Sequence, residues 1–219
     1  MSEKSKFWEH FDMKRILLFF AALIVLGAVV VTVSFVSFAD QEASARAGAL
    51  EIGATAENFS LPDVDGKTQT LDGLKGKNGT LVVWLSAQCP VVKGYKDRIN
   101  EIAGEYQAKG ISFIGINSNS TEDLNWVKSN IAEYGYKFPV LIDKNNVLAD
   151  KWGASVTPEV YFFNAKNVLL YHGAIDNDRS GKNVTEGYLK TAFTESLGGR
   201  AVSKTKANAF GCTIKRVGE

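Results

Sequence analysis

The residue of this chain best suited to covalent chemistry is Cys89, which follows an apolar run and precedes a proline. Residues 80–86 are rich in β-favouring side chains and predict a buried strand. Beyond Pro90, apolar side chains recur at helical spacing as far as residue 109, which predicts a helix. Cys89 is therefore expected where a strand gives way to a helix. Pro90 would occupy the first helical position, where its missing N–H costs nothing.

A thiol in this position is predicted to be reactive. The N-terminus of a helix offers free backbone N–H groups and the positive end of the dipole, and both favour the nucleophilic thiolate. Lys93, one turn further on, adds a cation nearby. A buried, inert Cys89 is the alternative interpretation, because free cysteines are common in protein cores.

The overall composition limits the partners of the protein. The chain has 219 residues and a formal net charge of +1, which argues against nucleic acid as a main partner. Its two cysteines, Cys89 and Cys212, cannot form a disulfide framework and have neither CxxC nor zinc-site spacing. We therefore expect no metal and no cofactor.

Residues 16–39 contain no charged side chain and predict a membrane segment. As a helix they would span about 36 Å, enough to cross a hydrocarbon core of about 30 Å. Basic residues precede the segment and acidic residues follow it, so residues 1–15 are expected in the cytoplasm and the rest on the exoplasmic (periplasmic or extracellular) side. A cleaved signal peptide, which would release a secreted protein, is the alternative because small residues suited to cleavage follow the segment.

Beyond the membrane segment, predicted strands alternate with predicted helices. Strands are expected at 80–86, 111–117 and 140–143, helices at 92–109, 122–134 and 145–152, then a hairpin of 156–163 with 168–172, and a last helix at 186–197. Ser120 or Thr121 is expected to cap the second helix. This order predicts right-handed crossovers and a parallel core sheet that the hairpin makes mixed. Reactive groups in such sheets lie beyond the carboxyl ends of the strands, where Cys89 is expected. Three tryptophans in apolar runs are expected in the core: Trp84, Trp126 and Trp152.

The opening of this domain carries a family resemblance. Gly53, then Phe59-Ser60-Leu61-Pro62-Asp63, and then Gly66-Lys67 resemble the first hairpin of the peroxiredoxin-like (redoxin) branch of the thioredoxin superfamily, which is related to alkyl hydroperoxide reductase and thiol-specific antioxidant proteins. The resemblance implies a thioredoxin-like three-layer α/β/α sandwich with a mixed central sheet. The chain then divides into a leader (1–15), a membrane segment (16–39), a tether (40–52), the thioredoxin-like domain (53–199) and a tail (200–219).

The resemblance also implies roles for individual residues. Ser86 stands where peroxiredoxins place a hydroxyl that contacts the reactive sulfur, and Arg179 is the best match to the arginine that polarises peroxide. Thr157-Pro158 resembles the cis-proline loop that faces the active cysteine. Thioredoxins have a second cysteine three residues after the first, but this chain has Val92 there. The residues expected to contact substrate are Pro90, Lys93, Thr157 and Pro158.

Cys212 lies in the tail, in a Gly-Cys-Thr-Ile-Lys ending that resembles one in an uncharacterised peroxiredoxin-like subgroup. It could resolve a sulfenic acid at Cys89 by forming a disulfide. It could equally be a structural thiol, or belong to a preformed disulfide with Cys89.

Together these features predict a membrane-anchored, exported thiol-dependent oxidoreductase. The Cys89 thiolate would attack a peroxide or a protein disulfide, and Cys212 or an external thiol would resolve the intermediate. One alternative is a thiol-disulfide reductase for exported proteins, which would need Cys212 close to Cys89. Another is a non-catalytic adaptor or metal chaperone, in which Cys89, Cys212 and His172 would form a soft-metal site.

Overall fold

A five-stranded mixed sheet organises the protein in a computed structural model that describes residues 48–218. The predicted leader (1–15), the membrane segment (16–39) and most of the tether (40–52) lie outside these residues. Within residues 48–218, no helix combines the length and the apolar character needed to cross a bilayer.

Nine strands and five α-helices make up this region. The strands are β1 (Ser60–Pro62), β2 (Thr68–Thr70), β3 (Gly79–Leu85), β4 (Ile111–Asn117), β5 (Val140–Ile142), β6 (Val156–Thr157), β7 (Glu159–Phe163), β8 (Leu169–Gly173) and β9 (Cys212–Thr213). The helices are α1 (Leu71–Leu74), α2 (Pro90–Gln107), α3 (Leu124–Tyr134), α4 (Val147–Trp152) and α5 (Tyr188–Leu197), with a 3₁₀ turn at Lys144–Asn146.

The strand order of the central sheet is β5-β4-β3-β7-β8. β3 runs parallel to β4, and β4 runs parallel to β5, whereas β7 and β8 form an antiparallel hairpin against β3. Every residue of β3 is buried, as expected for a strand with both faces covered. The predicted parallel core with an antiparallel hairpin is confirmed.

Apolar side chains cover the sheet on both faces. On one face, Leu81, Val83 and Leu85 pack against α2, α3 and α5. On the other face, Val82 and Trp84 pack against α1, α4 and the β1–β2 hairpin. Successive residues of a strand point to opposite faces, so β3 contributes to both halves of the core. Cys89 belongs to the first half.

Helix α3 differs from its prediction. The cap is the Asp123 carboxylate, which accepts the Trp126 N–H at 2.9 Å, so the predicted serine or threonine cap is wrong. The sheet-facing side of α3 carries Val127 and Tyr134, which leaves Trp126 44% exposed. The prediction that Trp126 lies in the core is therefore wrong, whereas Trp84 and Trp152 are buried as predicted.

The tail after α5 packs along the domain. It first follows β8, where the His172 N–H donates to the Thr205 carbonyl at 2.9 Å and the Ala207 N–H donates to the His172 carbonyl at 3.1 Å. It then forms β9, which pairs antiparallel with β6, and buries Ile214 completely. The tail thus brings the second cysteine back to the carboxyl end of β3.

Candidate active site

Cys89 lies at the junction between β3 and α2, as predicted. It is the N-cap residue of α2, and Pro90 is the first helical residue. The Lys93 N–H donates to the Cys89 carbonyl at 3.1 Å and begins the helical ladder. The residue is only 1% exposed. Its side chain is therefore at the edge of the sheet but covered by other parts of the chain.

The Cys89 sulfur faces the predicted cis-proline loop. The Thr157-Pro158 peptide is cis, and the Cys89 thiol donates to the Thr157 carbonyl at 3.3 Å. Burial alone would raise the pKa of Cys89. Hydrogen bonds from the Cys212 thiol, the Thr157 side chain and the Val92 N–H outweigh burial, so the pKa lies below the ordinary value for a thiol. Cys89 is thus the group of this site that favours the thiolate.

Cys212 is the other free cysteine and is partly exposed. It pairs with Thr157 in the β6–β9 register, and the Thr157 hydroxyl donates to its carbonyl at 3.4 Å. Burial, together with the hydrogen bond and charge of Cys89, raises the pKa of Cys212; the Val91 N–H and the Arg179 charge lower it by less. Between the two pKa values the pair therefore holds one proton, on Cys212, and one negative charge, on Cys89.

The close approach of the tail to the cis-proline loop depends on Gly211. A Cβ atom there would lie 1.9 Å from the Thr157 carbonyl oxygen and 3.2 Å from the Pro158 nitrogen. No side chain fits at that distance from backbone atoms. Glycine at this position is what lets β9 lie directly against the loop that faces Cys89.

The turn between β3 and Cys89 is held by Glu122. Its carboxylate accepts hydrogen bonds from the Ser86 hydroxyl, from the Ala87 N–H at 2.8 Å and from the Gln88 N–H at 3.1 Å. The Ser86 proton is thus used by Glu122, and the predicted contact of Ser86 with the reactive sulfur stays a prediction. Sequence reasoning missed Glu122, which it assigned to the first turn of a helix.

A buried carboxylate, that of Glu159, supports the cis-proline loop from behind. Glu159 follows Pro158 and is 4% exposed; it accepts the Ser155 N–H at 2.8 Å and lies 2.6 Å from His172 Nε2. His172 therefore pairs with Glu159 instead of joining the cysteines. Within the described part of the chain, no three side chains of the metal-binding types are grouped to hold an ion. The soft-metal alternative needs a cluster that this arrangement does not provide.

Arg179 lies at the rim of the site, on the side of Cys212. Its guanidinium is 5.9 Å from the centre of the Phe210 ring. Arg98 holds the surrounding loop by donating to the Arg179 carbonyl at 3.1 Å and to the buried Asp176 carboxylate at 2.6 Å. From this position the charge of Arg179 lowers the pKa of Cys212.

The other predicted contact residues are divided by the fold. Pro90 and Lys93 are exposed on the first turn of α2, whereas Thr157 and Pro158 are buried beneath β9. The tail occupies the edge of β6 where a bound substrate was expected. The predicted roles of these four residues in binding substrate stay predictions.

A cavity of about 460 Å³ lies beyond the carboxyl ends of β4 and β5. Glu122 forms part of its wall, together with Leu124 and Val217. Neither cysteine is among the residues that line it. The two thiols therefore lie apart from this cavity, between α2 and β9.

Comparison with known proteins identifies the family of this chain. Residues 52–172 match the AhpC/TSA family. This chain belongs to the AhpC/TSA family. The match confirms the predicted family and the predicted class of enzyme, a thiol-dependent oxidoreductase.

Curated relatives and solved structures are similar to most of the chain. The thiol-disulfide oxidoreductase ResA of Bacillus thuringiensis (strain Al Hakam) is 32% identical over 181 residues, which are 81% of this chain and 98% of that protein. A hypothetical protein of Sinorhizobium meliloti 1021, SMc02350, has a TM-score of 0.73 at 33% identity, over 78% of this chain and 98% of that one. Peroxidoxin BcpB of Mycobacterium tuberculosis has a TM-score of 0.54 at 18% identity, over 68% of this chain and 97% of that one; it shares the fold. The predicted thioredoxin-like fold with a mixed central sheet is confirmed.

Proposed function

We propose that this protein is a thiol-disulfide oxidoreductase whose redox pair is Cys89 and Cys212. The observation that carries the proposal is the packing of two free thiols against one cis-proline loop, with pKa shifts in opposite directions. One sulfur is prepared as a thiolate and the other as its proton donor. Such a pair can close to a disulfide and reopen, exchanging two electrons with a partner.

The tail supplies the second cysteine, which helix α2 lacks. Val92, three residues after Cys89, points into the core and carries no sulfur. Cys212 reaches the same sulfur from β9, through the pairing of Thr157 with Cys212. A disulfide needs a sulfur–sulfur distance of about 2 Å, so the two thiols have to move from hydrogen-bonding contact to bonding contact. We infer that this short movement replaces the CxxC cycle.

We further propose that the domain works outside the cytoplasm, tethered to a membrane by residues 16–39. The uncharged run and the basic residues before it support this orientation. The substrates would then be disulfides or thiols of exported proteins, with an external thiol or disulfide as the second partner. Protease treatment of intact cells tests the orientation: an exported domain is digested, and a cytoplasmic one is protected.

Peroxide is the second candidate substrate, favoured by the lowered pKa of Cys89 in a member of the AhpC/TSA family. The Cys89 thiolate would attack one peroxide oxygen and break the O–O bond. The leaving oxygen would take up a proton as water or an alcohol, and Cys89 would become a sulfenic acid. Cys212 would then attack that sulfur, form the disulfide and release water.

Turnover by the full-length protein tests the proposal. Dithiothreitol would serve as reductant, with insulin disulfides or hydrogen peroxide as oxidant. Both Cys89→Ser and Cys212→Ser should reduce insulin turnover to the rate without enzyme, because each removes half of the pair. Full turnover by either variant would overturn the two-cysteine cycle. Peroxide consumption by the same samples decides between the two substrates.

A further inference from the structure

The two sulfurs of the proposed pair differ in access to solvent. Cys89 is 1% exposed, enclosed by the first turn of α2, by Thr157 and by β9. Cys212 is partly exposed and lies on β9, the strand that covers Cys89. A disulfide of a protein substrate is bulky, so it meets Cys212 before it can meet Cys89.

The covering strand is firmly held. Ile214 is fully buried, and its N–H donates to the Ser155 carbonyl at 2.9 Å. Beyond it, the Ser120 N–H donates to the Lys215 carbonyl at 2.9 Å, and the Lys215 N–H donates to Asn119 Oδ1 at 3.0 Å. Access to Cys89 by detachment of the tail would break these bonds and expose the buried Ile214 side chain to water, which is unfavourable.

We propose that Cys212 is the cysteine that exchanges with the substrate, and that Cys89 is the inner cysteine that closes the disulfide. The proposal rests on the proposed function and deepens it. It reverses the order expected from sequence, in which Cys89 attacks and Cys212 resolves.

The pKa shifts of the two thiols act differently on the two directions of the reaction. At rest the proton lies on Cys212 and the charge on Cys89, so Cys212 attacks from the small fraction of molecules in which the Cys89 thiolate has accepted its proton across the hydrogen bond that the two sulfurs share. Once deprotonated, Cys212 is the stronger nucleophile, because the nucleophilicity of a thiolate increases with its pKa. Cys89, whose pKa is lowered, is the better leaving group when the disulfide is opened again.

The reaction balances in two steps. The Cys212 thiolate attacks one sulfur of the substrate disulfide, forms a mixed disulfide and releases the other substrate sulfur, which takes up a proton. Cys89 gives its proton to that released sulfur and attacks the Cys212 sulfur; the Cys89–Cys212 disulfide forms and the second substrate sulfur leaves as a thiolate. The substrate disulfide gains two electrons and the protein loses two. In reverse, an external thiol attacks the Cys212 sulfur of the oxidised protein, and Cys89 leaves as the thiolate.

Trapping of the mixed disulfide tests the assignment. Full-length Cys89→Ser and Cys212→Ser, both reduced, would be mixed with insulin and quenched with acid, and the adducts mapped by mass spectrometry. We expect Cys89→Ser to form its adduct at Cys212 at least tenfold faster than Cys212→Ser forms one at Cys89. Equal rates in denaturant would show that the fold causes the difference.

The wild-type protein gives a second measurement with both sulfurs present. Oxidised protein would be mixed with thionitrobenzoate, quenched with acid and mapped; the adduct is expected on Cys212. An adduct mainly on Cys89, or a faster reaction of Cys212→Ser with insulin, would overturn the assignment but leave the proposed function standing. If no variant forms an adduct and the wild type does not turn over insulin, both proposals fail.

Discussion

Cys89 is positioned by residues next to it in the sequence, whereas Cys212 is positioned by contacts made elsewhere in the fold. The first depends on β3, a short turn and the start of α2. The second depends on Gly211 against the Thr157 carbonyl and on Ile214 in the core. The difference teaches that the position of Cys89 follows from local sequence, while its lowered pKa and the position of its partner are products of tertiary structure. The position of each cysteine can therefore be changed separately, whereas the pKa values of the two thiols depend on each other.

The largest effect is expected from Gly211→Ala, which alters neither sulfur. Its Cβ would lie 1.9 Å from the Thr157 carbonyl oxygen, so β9 has to move away. Overpacking of this kind costs about 1–2 kcal/mol, which lowers the ratio of docked to undocked tail by roughly 5- to 30-fold. Disulfide formation under mild oxidation should slow by up to that factor, and alkylation of Cys89 should accelerate, both measured by mass spectrometry.

Gly104→Ala is the matched control for this variant. Gly104 lies within α2, and an added Cβ would have no atom within 4 Å. We expect unchanged disulfide formation and a small gain in stability, since alanine favours a helix over glycine. Equal disulfide rates in Gly211→Ala and the wild type would show that the tail is not held as described.

The pKa values of the two thiols should lie on opposite sides of the ordinary thiol value. Cys89 should ionise below the ordinary thiol range and Cys212 above it, as followed by the ultraviolet absorbance of the thiolate. Cys212→Ala should raise the pKa of Cys89, because burial remains while the hydrogen bond from Cys212 is lost. Cys89→Ala should lower the pKa of Cys212, because the hydrogen bond and charge of Cys89 disappear. An unchanged pKa of the remaining thiol in both variants would mean that the two sulfurs do not interact.

The lowered pKa of Cys89 also predicts how folding stability depends on pH. The pKa of Cys89 is lower in the folded protein than in the unfolded chain, so the folded state favours the thiolate. This contribution is fully present above the unfolded thiol pKa and is lost as the pH falls through the folded pKa of Cys89. Chemical denaturation of the reduced wild type and Cys89→Ala across that range should show it as a difference that grows with pH.

The smallest effect is expected from Arg179→Gln. Burial and Cys89 raise the pKa of Cys212, and the Arg179 charge opposes them. Without that charge, thiol exchange at Cys212 near neutral pH should slow by no more than roughly fivefold, since exposed charges interact weakly. Arg200→Gln is the control, because Arg200 acts on Glu195 instead. The effect should shrink at high salt; a slowing that salt leaves unchanged would contradict an electrostatic role.

The sequence was informative where the determinants are close together. The place of Cys89 follows from an apolar run, a turn and a proline, and the mixed sheet follows from alternating elements and a hairpin. The place of Cys212 was beyond reach, because it is set by the contact of Gly211 with Thr157 and by the burial of Ile214. Glu122 was missed for the same reason: its three partners at residues 86–88 are distant in sequence. Trp126 was misplaced because apolar character alone does not fix which side of a helix faces the sheet.

The most direct test of the central claim is a redox titration of the full-length protein in glutathione buffers, with free thiols alkylated and each cysteine quantified by mass spectrometry. The account predicts that Cys89 and Cys212 lose their free thiols together, in one two-electron transition, with a peptide containing both joined by a disulfide. Independent oxidation of the two cysteines, with glutathione attached to either and no bond between them, would contradict it.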